Sequence, residues 1–191
     1  MDSFNETKEF NQQKDTVILK PGQIAPNFNL AFTSNQKISL YDFRGEPIVL
    51  IFYPADWSPI CGDQLALCNE VMSEFQKHNA RLLGISVDSI WSHLAFSKKN
   101  NLRFPLLADF EPKGSAAKSY GVYDECSGLS RRALFIINPQ GKIHWSYLSP
   151  IEINPGADGL LEALELIPKQ LTRTSAAAVN SNIESIYAAL T

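Results

Sequence analysis

One cysteine, Cys61, stands where the chain passes from an apolar strand into a helix. The apolar run 48–53 leads into the segment Tyr53-Pro-Ala-Asp-Trp-Ser-Pro-Ile-Cys61. Ser58 is a preferred N-cap residue and Pro59 a preferred first helical residue, so we expect the helix to begin there. Cys61 then lies about three residues into the helix, where unpaired N–H groups and the helix dipole favour an anion. Because thiols at such sites titrate at about 3.5–7.5 instead of about 8.5, the sequence predicts a reactive thiolate.

The charges around Cys61 decide whether the thiolate persists. Asp56 and Asp63 flank the cysteine, and a nearby like charge raises the pKa of a thiol. The helix dipole contributes only about 0.3–1 kcal/mol at an exposed site, so a fixed cation is needed as well. Arg132, at the start of a later apolar run, is the candidate. Its neighbour Arg131 is the rival, but adjacent strand residues point to opposite faces, so only one of the two arginines reaches Cys61.

Strands alternate with helices along the middle of the chain. Continuous apolar runs predict strands that are buried on both faces, at 48–53, 82–87 and 133–137. Helical periodicity covers 61–78, about 89–99, about 110–120 and about 158–167. Gly121 stands just past the third of these helices, where a helix end favours glycine. This alternation predicts an α/β fold with helices on both faces of the sheet.

Shorter extended segments complete the sheet. Residues 138–141, Asn-Pro-Gln-Gly, are a turn signal that joins 133–137 to 142–147 in an antiparallel hairpin. Two further extended pieces precede the first central strand, at 16–19 and 29–32. The central sheet is therefore expected to be mixed.

Composition bounds the class of protein. The chain has 191 residues, of which 45% are hydrophobic and 19% charged, with a net charge of −3, so we expect a folded domain and no affinity for nucleic acid through bulk charge. The longest strictly apolar run is far shorter than the roughly 20 residues of a membrane span. The first fifteen residues lack a secretory signal, and we expect a cytoplasmic protein. The scattered histidines and three cysteines form no zinc pattern.

The ends differ from the middle of the chain. We expect a flexible extension at 1–15, one folded domain at 16–168, and a tail at 169–191. Within the tail, apolar residues recur at the spacing of a short amphipathic helix, at Ile183, Ile186, Tyr187 and Leu190. Such a helix needs something to pack on, and either the same domain or a second subunit would serve.

Several segments together carry a family resemblance. The pattern Pro54-x-x-x-Ser58-x-x-Cys61 resembles the P-x-x-x-(T/S)-x-x-C motif of the peroxiredoxins, thiol peroxidases built on a thioredoxin-like fold. Further segments resemble that family in the same order along the chain, at 21–28, 41–45, 84–89, 104–109 and 132–137. The likeness covers about residues 16–167, and it implies a thioredoxin-like α/β fold with a central mixed sheet flanked by helices.

The resemblance also assigns roles to individual residues. It makes Cys61 the peroxidatic thiolate and Arg132 the cation that stabilises it. Ser58 stands where the family more often has threonine, and its hydroxyl would hold the sulfur and the peroxide oxygen. Pro54 would shield the thiolate, and Gln64 would support Arg132 or the pocket backbone.

The other two cysteines, Cys68 and Cys126, differ in their predicted surroundings. Cys68 falls on the buried stripe of the same helix as Cys61, about 10.5 Å further along at 1.5 Å per residue, which is too far for a disulfide unless the helix start unwinds. Cys126 lies in a loop ahead of Arg132, where it could resolve the oxidised cysteine or be an ordinary loop residue. The C-terminal Val-Cys-Pro context of the typical two-cysteine peroxiredoxins is absent. The resemblance therefore favours a one-cysteine cycle, in which an external thiol reduces the oxidised Cys61, and a Cys61–Cys126 disulfide is the alternative.

Aromatic and histidine side chains give weaker signals. Trp57, inside the motif, is the best candidate for the rim of the active site. Ordinary core packing is expected for Trp91, Phe96 and Trp145. For His93 a satisfied surface position is favoured over catalysis.

The expected activity is reduction of hydrogen peroxide and organic hydroperoxides through a sulfenic acid at Cys61, without metal, haem or flavin. The expected partners are a thiol reductant, such as thioredoxin, glutaredoxin or a small thiol, and further copies of the chain in a homodimer or larger assembly. Two alternatives stay open: a chaperone or binding role on the same fold, and thiol–disulfide exchange, which the missing C-x-x-C disfavours.

Overall fold

The computed structural model describes residues 17–168, with a mixed seven-stranded sheet at the centre. In chain order the strands of this sheet are β1 (Asn29–Ala31), β2 (Lys37–Ser39), β3 (Ile48–Phe52), β4 (Arg81–Ser86), β5 (Leu106–Ala108), β8 (Ala133–Ile137) and β9 (Ile143–Leu148). Strands β6 (Tyr123–Asp124) and β7 (Leu129–Ser130) form a separate hairpin. The helices are α1 (Pro59–Glu70), α2 (Met72–Lys77), α3 (Ile90–Asn100), α4 (Ser115–Ser119) and α5 (Asp158–Glu165), and a 3-10 helix covers Leu40–Phe43.

The predicted central strands are confirmed. The spatial order is β2-β1-β5-β4-β3-β8-β9, with β3, β4 and β5 parallel and β8 antiparallel to β3. Every residue of β3 and β8 is buried, as their continuous apolar runs predict. Strands β8 and β9 form the predicted antiparallel hairpin, and the sheet is mixed as expected.

Side chains alternate between the two faces of the sheet and so divide the apolar interior into two cores. Leu50 and Phe52 of β3 belong to the first core, whereas Ile51 and the adjoining Tyr53 belong to the second. Cys61 lies in the second core. The chemistry of Cys61 is therefore confined to one face of the sheet.

Two predicted helices are wrong in extent, and one predicted extended segment is not a strand. The helix predicted over 61–78 is interrupted at Val71, whose φ of −89° and ψ of 19° end α1 before α2 begins. The helix predicted over 110–120 is shortened to α4, because Gly114 adopts a φ of 67° immediately before it and Asp109 accepts hydrogen bonds from the first turn. Of the extended segment predicted over 16–19, the described residues 17–19 form no strand.

The predicted extension at 1–15 and the tail at 169–191, with its amphipathic spacing, lie outside the described residues. Within residues 17–168, no helix has the length and apolar character that crossing a membrane requires.

Close packing around Gly84 of β4 gives a stability prediction. A Cβ at Gly84 would lie 2.4 Å from Cδ2 of Leu106 and 3.3 Å from Cε1 of Tyr53. Gly84→Ala should therefore lower the free energy of unfolding by about 1–3 kcal/mol, because the buried neighbours must shift. Denaturant unfolding measures the change. Gly159→Ala, where the Cβ meets Trp145 at 3.4 Å, is the matched control and should not destabilise, and equal losses in the two variants would contradict this account.

Candidate active site

The first turn of α1 carries Cys61. The helix begins at Pro59 with Ser58 as its N-cap residue, as the sequence predicts, and Cys61 is its third residue. The N–H of Gly62 donates to the carbonyl of Ser58 at 2.9 Å, whereas the hydroxyl of Ser58 makes no capping hydrogen bond. The oxygen of that hydroxyl therefore does not accept a hydrogen bond from the helix N-terminus, and the hydroxyl is available to another group close to Cys61.

Arg132 extends to the sulfur of Cys61. Its Nη2 lies 3.5 Å from the Sγ, and its Nη1 donates to Oε1 of Gln64 at 2.5 Å. The carbonyl of Ile151 accepts from Nη2 at 3.2 Å and from Nε at 3.4 Å. The structure thus brings together four of the predicted residues, because Ser58 and Cys61 share one helix turn and Gln64 lies one turn further along. Pro54 is buried in the segment that leads into this turn.

Strand alternation explains why Arg132 and not Arg131 reaches the cysteine. Leu134 and Ile136 of β8 face the core that contains Cys61, whereas Ala133 and Phe135 face the other core. Arg132 shares the parity of Leu134 and extends toward Cys61 at 1% exposure, and Arg131 is only half-buried. One residue of register therefore determines which arginine enters the site.

The charge of Arg132 has no carboxylate partner within residues 17–168. Its contacts there are the amide oxygen of Gln64, the carbonyl of Ile151 and the Sγ of Cys61. A buried guanidinium without a counter-charge is costly. Of these three contacts, only the sulfur belongs to a group that can carry a negative charge.

The other cysteines lie away from this pair. Cys68 is buried, and burial raises the pKa of its thiol to about 12, which makes it inert at neutral pH. Cys126 is exposed in the β6–β7 hairpin. Tyr123 and Leu129 of this hairpin pack on the core opposite to the one that contains Cys61. Cys126 is therefore attached to the other face of the sheet.

The expected surface position of His93 is wrong. His93 is 2% exposed, and its Nδ1 lies 3.0 Å from both carboxylate oxygens of Asp56, which is also fully buried. The hydroxyl of Tyr53 donates to Oδ1 of Asp56 at 2.8 Å. Asp56 thus does not stand as an unpaired charge beside Cys61. In the sequence, the spacing of three residues between Tyr53, at the end of a strand, and Asp56 is a signal for their hydrogen bond. The pairing with His93 has no such signal, because the histidine is 37 residues from Asp56.

Two of the tryptophans, Trp57 and Trp91, lie on the surface and are close in sequence to Asp56 and His93. Trp57 is 55% exposed, donates from Nε1 to Oγ of Ser92 at 3.2 Å, and meets the ring of Phe96 edge-on. Trp91 is 67% exposed, so its predicted core position is wrong, whereas Phe96 is buried as predicted and Trp145 is half-buried.

Among the described residues, no group of three potential metal ligands is present.

The fold is that of a thioredoxin-like α/β protein, with a buried cysteine–arginine pair at the start of α1. Residues 21–146 match the family model of the AhpC/TSA family. The chain therefore belongs to this family, the peroxiredoxins.

Relatives of known name agree with this assignment. The chain is 30% identical over 165 residues to a peroxiredoxin from Thermoplasma volcanium, covering 83% of this chain and 80% of the relative. It is 35% identical over 165 residues to the mitochondrial thioredoxin-dependent peroxide reductase of Drosophila melanogaster, covering 81% and 70%. The reduced 2-Cys peroxiredoxin of Plasmodium vivax superposes with a TM-score of 0.70 at 28% identity, covering 77% of this chain and 81% of that one.

The Asp56–His93 pair predicts a pH-dependent stability. Burial opposes ionisation of Asp56, but the hydrogen bond from His93 and its electrostatic attraction lower the pKa of this carboxyl below its ordinary value. A carboxyl whose pKa is lowered by folding stabilises the fold fully above the unfolded value, about 3.9 for Asp, and this stabilisation is lost as the pH falls through the folded value. Asp56→Asn should therefore destabilise at neutral pH, and the deficit should shrink below about pH 4. Denaturant unfolding of both proteins across this range measures the deficit, and a constant deficit would contradict the pairing.

Proposed function

We propose that Cys61 is the residue that reduces peroxides in this peroxiredoxin. The observation that supports it best is the 3.5 Å contact between Sγ of Cys61 and Nη2 of a buried Arg132 that has no carboxylate partner among the described residues. A thiolate is the nucleophilic form of cysteine. The guanidinium therefore favours the form of Cys61 that attacks peroxide.

The reaction proceeds by displacement at a peroxide oxygen. The thiolate attacks the terminal oxygen of the hydroperoxide, an S–O bond forms, and the O–O bond breaks. The sulfur is oxidised by two electrons to sulfenic acid, which keeps the hydroxyl of the peroxide. The departing alkoxide, or hydroxide from hydrogen peroxide, takes a proton from water to give an alcohol or water.

The surrounding donors suit this movement of charge. Negative charge passes from sulfur to the departing oxygen, and donors that bind both atoms more strongly during the transfer lower the barrier. Arg132 provides N–H groups beside the sulfur. The hydroxyl of Ser58, which makes no capping hydrogen bond, lies one helix turn before Cys61. The buried Nε2 of Gln64 has no hydrogen-bond partner among the described residues, and we assign it as a further donor. Pro54 shields the sulfur, and Trp57 lies at the exposed rim.

An external thiol completes the cycle. The thiol condenses with the sulfenic acid and releases water, and a second thiol reduces the mixed disulfide and regenerates Cys61. The name of the Drosophila relative indicates thioredoxin as a reductant of that protein, and we propose a thiol of this class for the present chain. The β6–β7 hairpin that carries Cys126 packs on the opposite core, which favours the one-cysteine cycle over a Cys61–Cys126 disulfide. We also propose that the protein acts in the cytoplasm and assembles as a homodimer or larger oligomer.

The assignment of Cys61 predicts that Cys61→Ser abolishes peroxide consumption, whereas Cys68→Ser does not. Stopped-flow mixing with hydrogen peroxide measures the rate, and the mass of the intact chain after one equivalent identifies the product. One added oxygen supports the one-cysteine cycle, and loss of two hydrogens supports the disulfide. Equal loss of activity in both variants, or a wild-type rate no higher than that of a free thiol, would contradict the assignment, and the latter would favour a chaperone role.

The strand register predicts an asymmetry between the two arginines. Arg132→Ala should slow peroxide reduction by about 100-fold or more, which is the usual loss when a buried donor is removed from a developing charge. Arg131→Ala should change the rate by less than about threefold, as expected for a partly exposed charge. Stopped-flow oxidation of the two variants tests this, and the reverse order would show that the assigned register is wrong.

A further inference from the structure

The segment that connects β3 to α1 is held by a buried polar network on the side facing α3. His93, in the first turns of α3, places its Nδ1 3.0 Å from both carboxylate oxygens of Asp56. The hydroxyl of Tyr53 donates to the same carboxylate at 2.8 Å. Tyr53, Asp56 and His93 are each 2% exposed or less. Water therefore cannot replace the bonds among them.

The protonation states in this network are consistent with one another. Burial, followed by the charge of Asp56, raises the pKa of the Tyr53 hydroxyl well above its ordinary value, so Tyr53 stays a donor. The pKa of Asp56 is lowered, so Asp56 stays an acceptor. Because both carboxylate oxygens face Nδ1 of His93, this nitrogen carries the proton that is donated to Asp56.

The network also fixes the backbone of the connecting segment. The N–H of Asp56 donates to Oδ2 of Asp88 at 3.0 Å, and the hydroxyl of Ser86, at the end of β4, donates to the same oxygen at 2.6 Å. Asp56 is thus bound through its side chain to α3 and through its main chain to Asp88, in the segment that follows β4. It lies two residues after Pro54 and two before Ser58, the two residues that flank the peroxide site.

Within residues 17–168, the network makes no hydrogen bond to Cys61 or Arg132. The contacts of Arg132 are Gln64, Ile151 and Cys61, whereas those of His93 are Asp56 and Tyr53. We therefore infer that His93 acts on the reaction through the position of the segment between Tyr53 and Pro59. Displacement of a catalytic group by about 1 Å can cost about 100-fold in rate.

We propose that His93 and Asp56 are positioning residues for peroxide reduction, which hold the segment between β3 and α1 so that Pro54 and Ser58 stand at Cys61. The inference rests on the proposed function of Cys61. It assigns to α3 a task in the reaction, although His93 makes no hydrogen bond to the sulfur of Cys61 within residues 17–168.

Substitution of His93 by residues with and without the Nδ1 donor tests the proposal. His93→Phe keeps an aromatic ring but leaves the Asp56 carboxylate without its imidazole partner, whereas His93→Asn provides an amide donor close to the position of Nδ1. His78→Phe is the control, since His78 lies at the end of α2 and its side chain has no hydrogen bond among the described residues. Two rates are measured in each folded protein: oxidation of Cys61 by hydrogen peroxide, and alkylation of Cys61 by iodoacetamide, which does not require the peroxide-binding donors.

We expect His93→Phe to slow peroxide oxidation by about 10- to 100-fold while alkylation changes by less than about threefold. His93→Asn should recover most of the loss, and His78→Phe should match the wild type. Parallel changes of both rates in His93→Phe would indicate a merely structural role and overturn the proposal, as would an unchanged peroxide rate. A wild-type rate no higher than that of a free thiol would instead refute the proposed function, and the inference with it.

Discussion

The buried charge of Arg132 is the constraint on which the site depends. A guanidinium at 1% exposure must have its donors bound and its charge balanced. The carbonyl of Ile151 and the amide oxygen of Gln64 bind donors but carry no net charge. In the function we propose, the sulfur of Cys61 balances this charge as a thiolate, which is also the nucleophilic form of cysteine. Reactivity and the stability of the buried site then have one cause.

The fold brings this pair together from distant parts of the sequence. Cys61 enters from the strand-to-helix turn after β3, and Arg132 enters from the start of β8, which pairs directly with β3. Since Phe52 pairs with Ala133 in that ladder, the end of one strand lies beside the beginning of the other. The turn that carries Cys61 and the residue that carries the cation therefore meet at the same end of these two strands.

Local rules predicted much of this arrangement. The start of α1 at Pro59 follows from the chemistry of Ser58 and Pro59, and the choice of Arg132 over Arg131 follows from strand parity. The hydrogen bonds from Arg132 to the carbonyl of Ile151 could not be predicted, because every residue type in a loop offers the same backbone acceptor. The Asp56–His93 pair was missed since it joins residues far apart in sequence and a lone histidine gives no sign of burial. The break at Val71 depends on local backbone angles that helical periodicity does not encode.

The central claim is that Cys61 is ionised because Arg132 is buried beside it. The most direct test is the ultraviolet absorbance of the thiolate at neutral pH, taken as the difference between the reduced wild-type protein and Cys61→Ser, and repeated in the Arg132→Ala background. The account predicts a signal close to one thiolate per chain in the wild type and its loss when Arg132 is removed. Absence of a thiolate in the wild type, or a full signal without Arg132, would contradict it.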